Sequence, residues 1–245
     1  MTMPKREEIE SFLDSIYHTH FGEPAPMPER LSILARHPVL TLAALRYLMG
    51  FPIVKVSMPA NEHSDSKWLF NPRRPWKYHG FISSYVELPT PLDSYWHGPS
   101  KQNLRTRSHQ ARHSGFEVRA VDSTAMDGVI AQVFSDKGWQ AHEIQDDLGK
   151  IRKSLDGVVC VAVFDESEHA VGFCVGTQTG EVVRTLRSFA SQRGAARWLC
   201  FSGFVEEVSA KGGRIIMESP PWAFTGGNKI FAGHLGFVTA RIRRN

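Results

Sequence analysis

Cysteine is scarce in this chain. Its 245 residues include three, Cys160, Cys174 and Cys200, an odd number with no metal-ligand spacing. That argues against a disulfide framework and structural zinc, and for reduced, mostly buried thiols. Long apolar runs are also missing, since none approaches the roughly 20 residues a bilayer span needs. The N-terminus, Met1 to Glu8, leads into an acidic amphipathic stretch rather than an apolar signal core. A soluble, cytoplasmic protein is the expectation. There is no internal repeat and no low-complexity tract. With 42% hydrophobic and 22% charged residues, the composition supports a sizeable core and excludes wholesale disorder or a collagen-like chain. No metal is assigned, because no helical histidine pair backed by a carboxylate is recognised.

Charge is uneven along the chain. Residues 1–99 hold ten basic and ten acidic side chains, and residues 100–119 five basic against one acidic. Residues 120–182 hold four against eleven, and residues 183–245 ten against three. The basic excess therefore sits in one short block and in the final quarter. Such asymmetry suits a polyanionic partner, a phosphorylated cofactor or a nucleic acid, and equally a solvated basic face.

Periodicity predicts a helix over 4–20, proline breaks at Pro24, Pro26 and Pro28, and a helix in two pieces around Pro38. Strands are predicted at 51–58 and 81–88, separated by a polar, proline-punctuated loop at 59–75. At the end of that loop and just past it, Arg73, Arg74, Trp76, Lys77 and Tyr78 interleave cations with aromatics, as base stacking or a loop anchored on the core would. A helix is expected from Lys101 to Arg112, capped near Ser100. Residues 116–245 then read β-α-α-β-β-β-α-β-α-β. This order implies a mixed sheet with helices on both faces and a crevice where two parallel strands part. Residues 1–95 form an N-terminal α+β extension in this reading, and residues 96–245 the main domain.

The junction Phe189-Ala190-Ser191-Gln192-Arg193-Gly194-Ala195-Ala196-Arg197 carries the most chemistry. Gly194 lets backbone approach a ligand, and Ala195 and Ala196 do not obstruct it. The first-turn N–H groups of the following helix favour an anion, with Arg193 or Arg197 adding charge. A tight turn that merely packs helix on sheet fits the same residues.

The strand order together with this loop resembles the GNAT superfamily of N-acyltransferases, over about residues 116–245. The family's phosphate loop reads Arg/Gln-x-x-Gly-x-Gly/Ala. Gly194 and Ala196 match it, and Ser191 departs from it. The segment Gly227 to Phe237 is similar to the family's closing helix and Leu-Gly-Phe entry to the last strand, with Ala232 where a tyrosine often protonates the leaving thiolate. Ser100 to Arg107, continuing through Ala111 to Val118, resembles the basic helix of Fem-type transferases, which move amino acids from aminoacyl-tRNA onto amines. Typical Fem proteins carry two such domains, so this resemblance makes residues 1–95 either a reduced GNAT-like half or an unrelated substrate-binding extension.

The resemblance implies an α/β, GNAT-like fold, a mixed and mostly antiparallel sheet flanked by helices. It also implies direct acyl transfer from acyl-CoA or aminoacyl-tRNA to an amine acceptor. The donor would lie along Ser188, Phe189, Ala190, Gln192, Arg193, Gly194, Ala195, Ala196 and Arg197, with Asn228 touching it or capping the last helix. Glu218 is the candidate base, with its pKa raised by partial burial, and Ser219 a proton relay. An ion pair or a helix cap is the other role for Glu218. Lys101, Arg105 and Arg112 would form a stripe for tRNA phosphates, or a solvated helix face. Trp222 is placed near the acceptor pocket. A non-catalytic GNAT-like binding module is the rival from outside enzymology.

Overall fold

The computed structural model describes residues 4–17, 27–57, 81–152, 157–191, 194–220, 222 and 226–244. Three helices come first: α1 (Arg6–Tyr17), α2 (Met27–Arg36) and α3 (Pro38–Met49). Pro38 occupies the first turn of α3, where its missing N–H costs nothing, so the expected break at Pro38 is real. Strands β1 (Ile53–Val56) and β2 (Phe81–Glu87) follow. A 3-10 turn, Pro99–Lys101, leads into α4 (Gln102–His113), whose start carries no side-chain cap. Ser100 therefore belongs to that turn and does not cap the helix.

Next come β3 (Glu117–Ala120), α5 (Met126–Ser135), α6 (Ala141–Arg152), β4 (Val158–Phe164), β5 (Ala170–Thr179), β6 (Val182–Ala190), α7 (Ala195–Ala210), β7 (Ile215–Glu218), α8 (Gly226–His234) and β8 (Val238–Arg244). This is the order expected from periodicity. Asp122 starts the approach to α5, its Oδ1 accepting the N–H of Thr124 at 2.8 Å and of Ala125 at 2.9 Å.

The strands form one sheet in the order β1-β8-β2-β7-β6-β5-β4-β3. Among the described strands only β1–β8 and β6–β7 run parallel, so the sheet is mixed and mostly antiparallel. Strand β2, from the first 95 residues, lies between β7 and β8. The sheet thus draws strands from both sides of residue 95, and the chain before that point does more than extend a finished domain.

Two cores sandwich the sheet. On one face Val159, Val161, Cys174, Val183 and Ile216 pack under α7, with α4 and α8 supplying Leu104, Phe231 and Leu235. Helix α7 buries Leu199, Phe201, Phe204, Val205 and Val208, each contributing roughly 1.5–3 kcal/mol of transfer free energy. On the other face α5 and α6 cover Cys160, Ala162, Phe173 and Val175, and Trp139 stacks on Phe134 at 4.2 Å. Such two-sided burial explains why β4 and β5 read as near-continuous apolar runs. Helices α1 and α3 form a separate cluster around Ile9, Phe12, Leu13 and Ala44. It is tied to α8 through Glu10, which accepts from Tyr47 Oη at 2.7 Å and pairs with Lys229 at 3.7 Å. No helix among the described residues is long and apolar enough to cross a membrane.

Candidate active site

Strands β6 and β7 pair only from Val182 to Arg184 against Ile215 to Met217. Beyond that point β6 continues to Ala190 along β5, while β7 follows β2 until Ser84 faces Glu218. The two parallel strands therefore part, and β6 leaves its β7-side edge unpaired with that strand past Arg184. A register shift in β6 between Thr185 and Arg187 adds one residue, Leu186, just at the parting. Such a bulge bends a strand and re-aims its backbone groups.

Glu218 stands at the mouth of this split. Side-chain alternation puts it on the α7 face with Ile216, as Thr185 is with Val183. Burial pushes the Glu218 carboxyl up to about 7. The Ser219 N–H, the Thr185 hydroxyl, and the Arg184 and Arg197 charges pull it back. The Ser219 N–H reaches Glu218 Oε1 at 3.4 Å, a weak contact. Thr185 is 7% exposed, and its hydroxyl makes no full hydrogen bond among the described residues. Ser84, also buried, completes a polar row with Glu218 across β2 and β7.

Arg197 does not face outward as a phosphate ligand. Its Nη2 donates to Asn228 Oδ1 at 2.8 Å, and its guanidinium lies 3.8 Å from the Phe231 ring centroid. Its Nε is buried without a partner, and burial lowers its pKa against the pull of Glu218. Asn228 accordingly holds Arg197 rather than capping α8. Arg197 sits in the first turn of α7 and is held from α8 by Asn228 and the Phe231 ring.

Gly194 adopts φ 114° and ψ −131°, and nothing lies within 4 Å of where a Cβ would stand. No side chain caps α7. Ala195 is half-buried and Ala196 buried. Ser191, where the family has Arg or Gln, turns inward, donating Oγ to Val171 O at 3.1 Å. Ser188 hydrogen bonds toward the buried Cys174, and Phe189 packs into the opposite core against Phe134. Ala190 pairs with Gly172 at the end of β6. Gln192 and Arg193 lie outside the described residues, as do Arg73, Arg74, Trp76, Lys77 and Tyr78.

The cationic stripe of α4 is not what the sequence suggested. Lys101 is 7% exposed. Its Nζ donates to Leu235 O and sits 3.9 Å over the Tyr95 ring, while Tyr95 Oη donates to the same carbonyl at 2.8 Å. Burial pushes Lys101 down to about 8. Arg105 is committed to the carbonyls of Trp96 and Gly98, and Arg112 pairs with Glu206 at 3.7 Å. The physical reason lies in closure of the chain: residues 95–101 and 234–236 meet beneath α4, and the cations cap their carbonyls. Trp222 packs against the α1–α3 cluster instead of an acceptor pocket.

Thr185 and Ser84 were missed in the sequence, although polar residues on the core face of a strand are a usable signal. A helical pair was also passed over. His109 and His113 share one exposed face of α4, with Nε2 atoms 3.3 Å apart. No carboxylate joins them, and among the described residues no three metal-ligating side chains converge. All three cysteines are buried, with thiols pushed up by burial, so none is an activated nucleophile.

No family model and no curated protein matches the chain. Solved structures do. L-PGS from Bacillus licheniformis aligns at 12% identity and a TM-score of 0.47, over 65% of this chain and 57% of that one. A GCN5-related N-acetyltransferase from Kribbella flavida aligns at 10% identity and a TM-score of 0.38, over 65% and 53%. Glucosamine-6-phosphate N-acetyltransferase from Arabidopsis thaliana aligns at 12% and 0.35, over 49% and 90%. The match thus spans less than three fifths of the Bacillus chain. At these scores the likenesses carry no functional argument.

Proposed function

We propose that the split between β6 and β7 is the active site of an N-acyltransferase. The observation that carries this reading is Glu218, a carboxyl pushed up to about 7 at the point where two parallel strands part. A base poised near neutrality suits removal of a proton from an attacking amine. The reading also rests on the resemblance of residues 116–245 to GNAT enzymes, including Gly194 and Ala196 of the phosphate loop.

The donor carrier's phosphates would meet the first turn of α7 behind Gly194, where the dipole favours an anion. Its arm would run along the β6 edge that β7 leaves, the backbone there supplying partners for amide groups and the acyl carbonyl. The acceptor amine approaches Glu218, directly or through water, and attacks the carbonyl carbon as Glu218 takes its proton. The bond from carbonyl carbon to carrier then breaks. Ala232 is buried and carries no acidic proton. The proton on Glu218 can instead return to a leaving thiolate, because a group near 7 lies below a thiol's ordinary value of about 8.5. Ser219 is exposed and follows Glu218 directly, a position from which its hydroxyl would relay the proton.

Acyl-CoA is the favoured donor. The aminoacyl-tRNA alternative keeps the basic final quarter, Ser191 and Ala232 in its favour, but its cationic stripe is weakened, since Lys101 is buried and Arg105 and Arg112 have protein partners. Thermal shift separates the donors, because a ligand bound by the native state alone raises the midpoint. Coenzyme A should raise it and total charged tRNA should not. A shift with tRNA that vanishes at high salt would transfer the assignment to tRNA. No shift with either would favour a binding module whose donor site has decayed.

A further inference from the structure

Large apolar side chains should not stand in water along one helix face. Among the described residues the exposed ones are Val39, Leu42, Leu45, Met49 and Ile53, with only Ile230 and Val238 elsewhere. Leu42 is 67% exposed and Leu45 54%. On a helix turning about 100° per residue, Val39, Leu42, Leu45 and Met49 fall within an arc of roughly 120°, and Arg46 lies inside the same arc. Ile53 opens β1, the edge strand that continues from α3. A contiguous apolar patch on a monomer marks a surface that is covered in use.

The charges around it say by what. Arg36, Arg46 and Lys55 are exposed, and no acidic residue occurs between Glu29 and Glu62. Arg46 also lines an open groove of about 410 Å³ together with Ile9, Ala43, Tyr47 and Phe51. A second copy is a poor occupant. Two-fold packing of this face on itself would set Arg36, Arg46 and Lys55 against their own equivalents, and Glu10, the carboxylate beside the groove, is already engaged by Tyr47 and Arg6. A planar anionic surface with an apolar interior satisfies both halves of the pattern: leucines enter below the headgroups and cations meet them.

We infer that the α3 face docks this protein on an anionic lipid bilayer. The inference is independent of the acyl-transfer reading, because neither Glu218 nor α7 takes part. The test is co-sedimentation of the full chain with vesicles of phosphatidylcholine alone and with about a third phosphatidylglycerol, at low and high salt. Retention on the anionic vesicles at low salt, falling at high salt, is expected. Leu42→Gln with Leu45→Gln should weaken it by roughly tenfold per leucine, and Arg46→Gln by roughly fivefold. These side chains are exposed, so the melting midpoint should hold and confirm that the variants fold. No retention on anionic vesicles overturns the inference, as does undiminished retention of the double leucine variant. Equal retention on neutral vesicles would remove the electrostatic half. Self-association abolished by the leucine variant, without vesicle binding, would assign the face to a second copy.

Discussion

Replacing Glu218 by Gln should make the protein a poorer catalyst and a more stable fold, and the two effects should separate with pH. Burial raises this carboxyl from 4.5 to about 7. For an acid whose folded-state value lies above its unfolded one, the stabilising contribution is full below the unfolded value and is lost as pH rises through the folded value. The wild type therefore holds an ionised carboxylate in a desolvated place at alkaline pH. That costs at most about 3 kcal/mol at about pH 8 and almost nothing at about pH 4. It is an upper bound, because Glu218 is half-buried and solvent screens part of the charge. Gln is neutral throughout and keeps an oxygen for the Ser219 N–H. Its melting midpoint should match the wild type near pH 4 and exceed it near pH 8, by about 2–4 °C for each kcal/mol recovered. Turnover, followed by release of free thiol from acyl-CoA, should fall by about 10²–10⁴. The wild-type rate should rise with pH through about 7, as the base form appears. Scanning fluorimetry across pH reads the first effect. A midpoint difference that does not depend on pH would refute the burial argument, and undiminished turnover would remove Glu218 from the chemistry.

Three further outcomes are expected. Arg197→Met removes a charge that holds Glu218 down, so the pH–rate limb should move to higher pH; loss of stability with an unmoved limb would leave Arg197 purely structural. Gly194→Ala forces a side chain into φ 114° and ψ −131°, a strain of about 1–3 kcal/mol that the open loop can relieve by turning. Coenzyme A affinity in calorimetric titration should therefore drop far more than the melting midpoint, and undiminished affinity would reject the donor loop. Lys101 is depressed from 10.5 to about 8, so the unfolded chain binds more protons between those values and stability should rise with pH there. Lys101→Met should lack that rise in urea midpoints and be no less stable at neutral pH, since Tyr95 still serves the Leu235 carbonyl. A rise that survives in the variant would show that Lys101 is not its source.

What the sequence made legible was whatever repeats locally. The α7 segment is apolar around most of its circumference and is bounded by Gly194 and Lys211-Gly212, so its position between sheet and flanking helices could be read from composition. The acidic turn between β4 and β5 was equally clear, and Asp165 Oδ1 accepts the Ser167 N–H at 2.9 Å and the His169 N–H at 3.0 Å. Strand partnership was not legible. Nothing in Phe81–Glu87 says that it will sit between β7 and β8, because pairing across more than a hundred residues is decided by which edge remains open after the rest has folded. The division at residue 95 was drawn from punctuation, and Pro89 and Pro91 mark the end of a strand there.

Glu218 and Lys101 show why the candidate site was only half readable. Both are charged residues at an element's end, and a chain read in order gives the charge without the surroundings. Glu218 was identifiable because it ends a short apolar strand whose parallel neighbour leads into the candidate donor loop. Its burial follows from local topology. Lys101 follows Pro99 and Ser100 and precedes a polar helix, so every local sign points to solvent. Its burial comes from Leu235 and Gly236, 134 residues away from Lys101 in the first case, which close over it beside Tyr95. Gly236 takes φ 80°, and a Cβ there would collide with the Lys101 ammonium. The Leu-Gly-Phe corner is thus shaped around the lysine. One of the three cations expected on the α4 stripe is turned inward onto the Leu235 carbonyl, and charge counted along a sequence overstates what a phosphate backbone could reach.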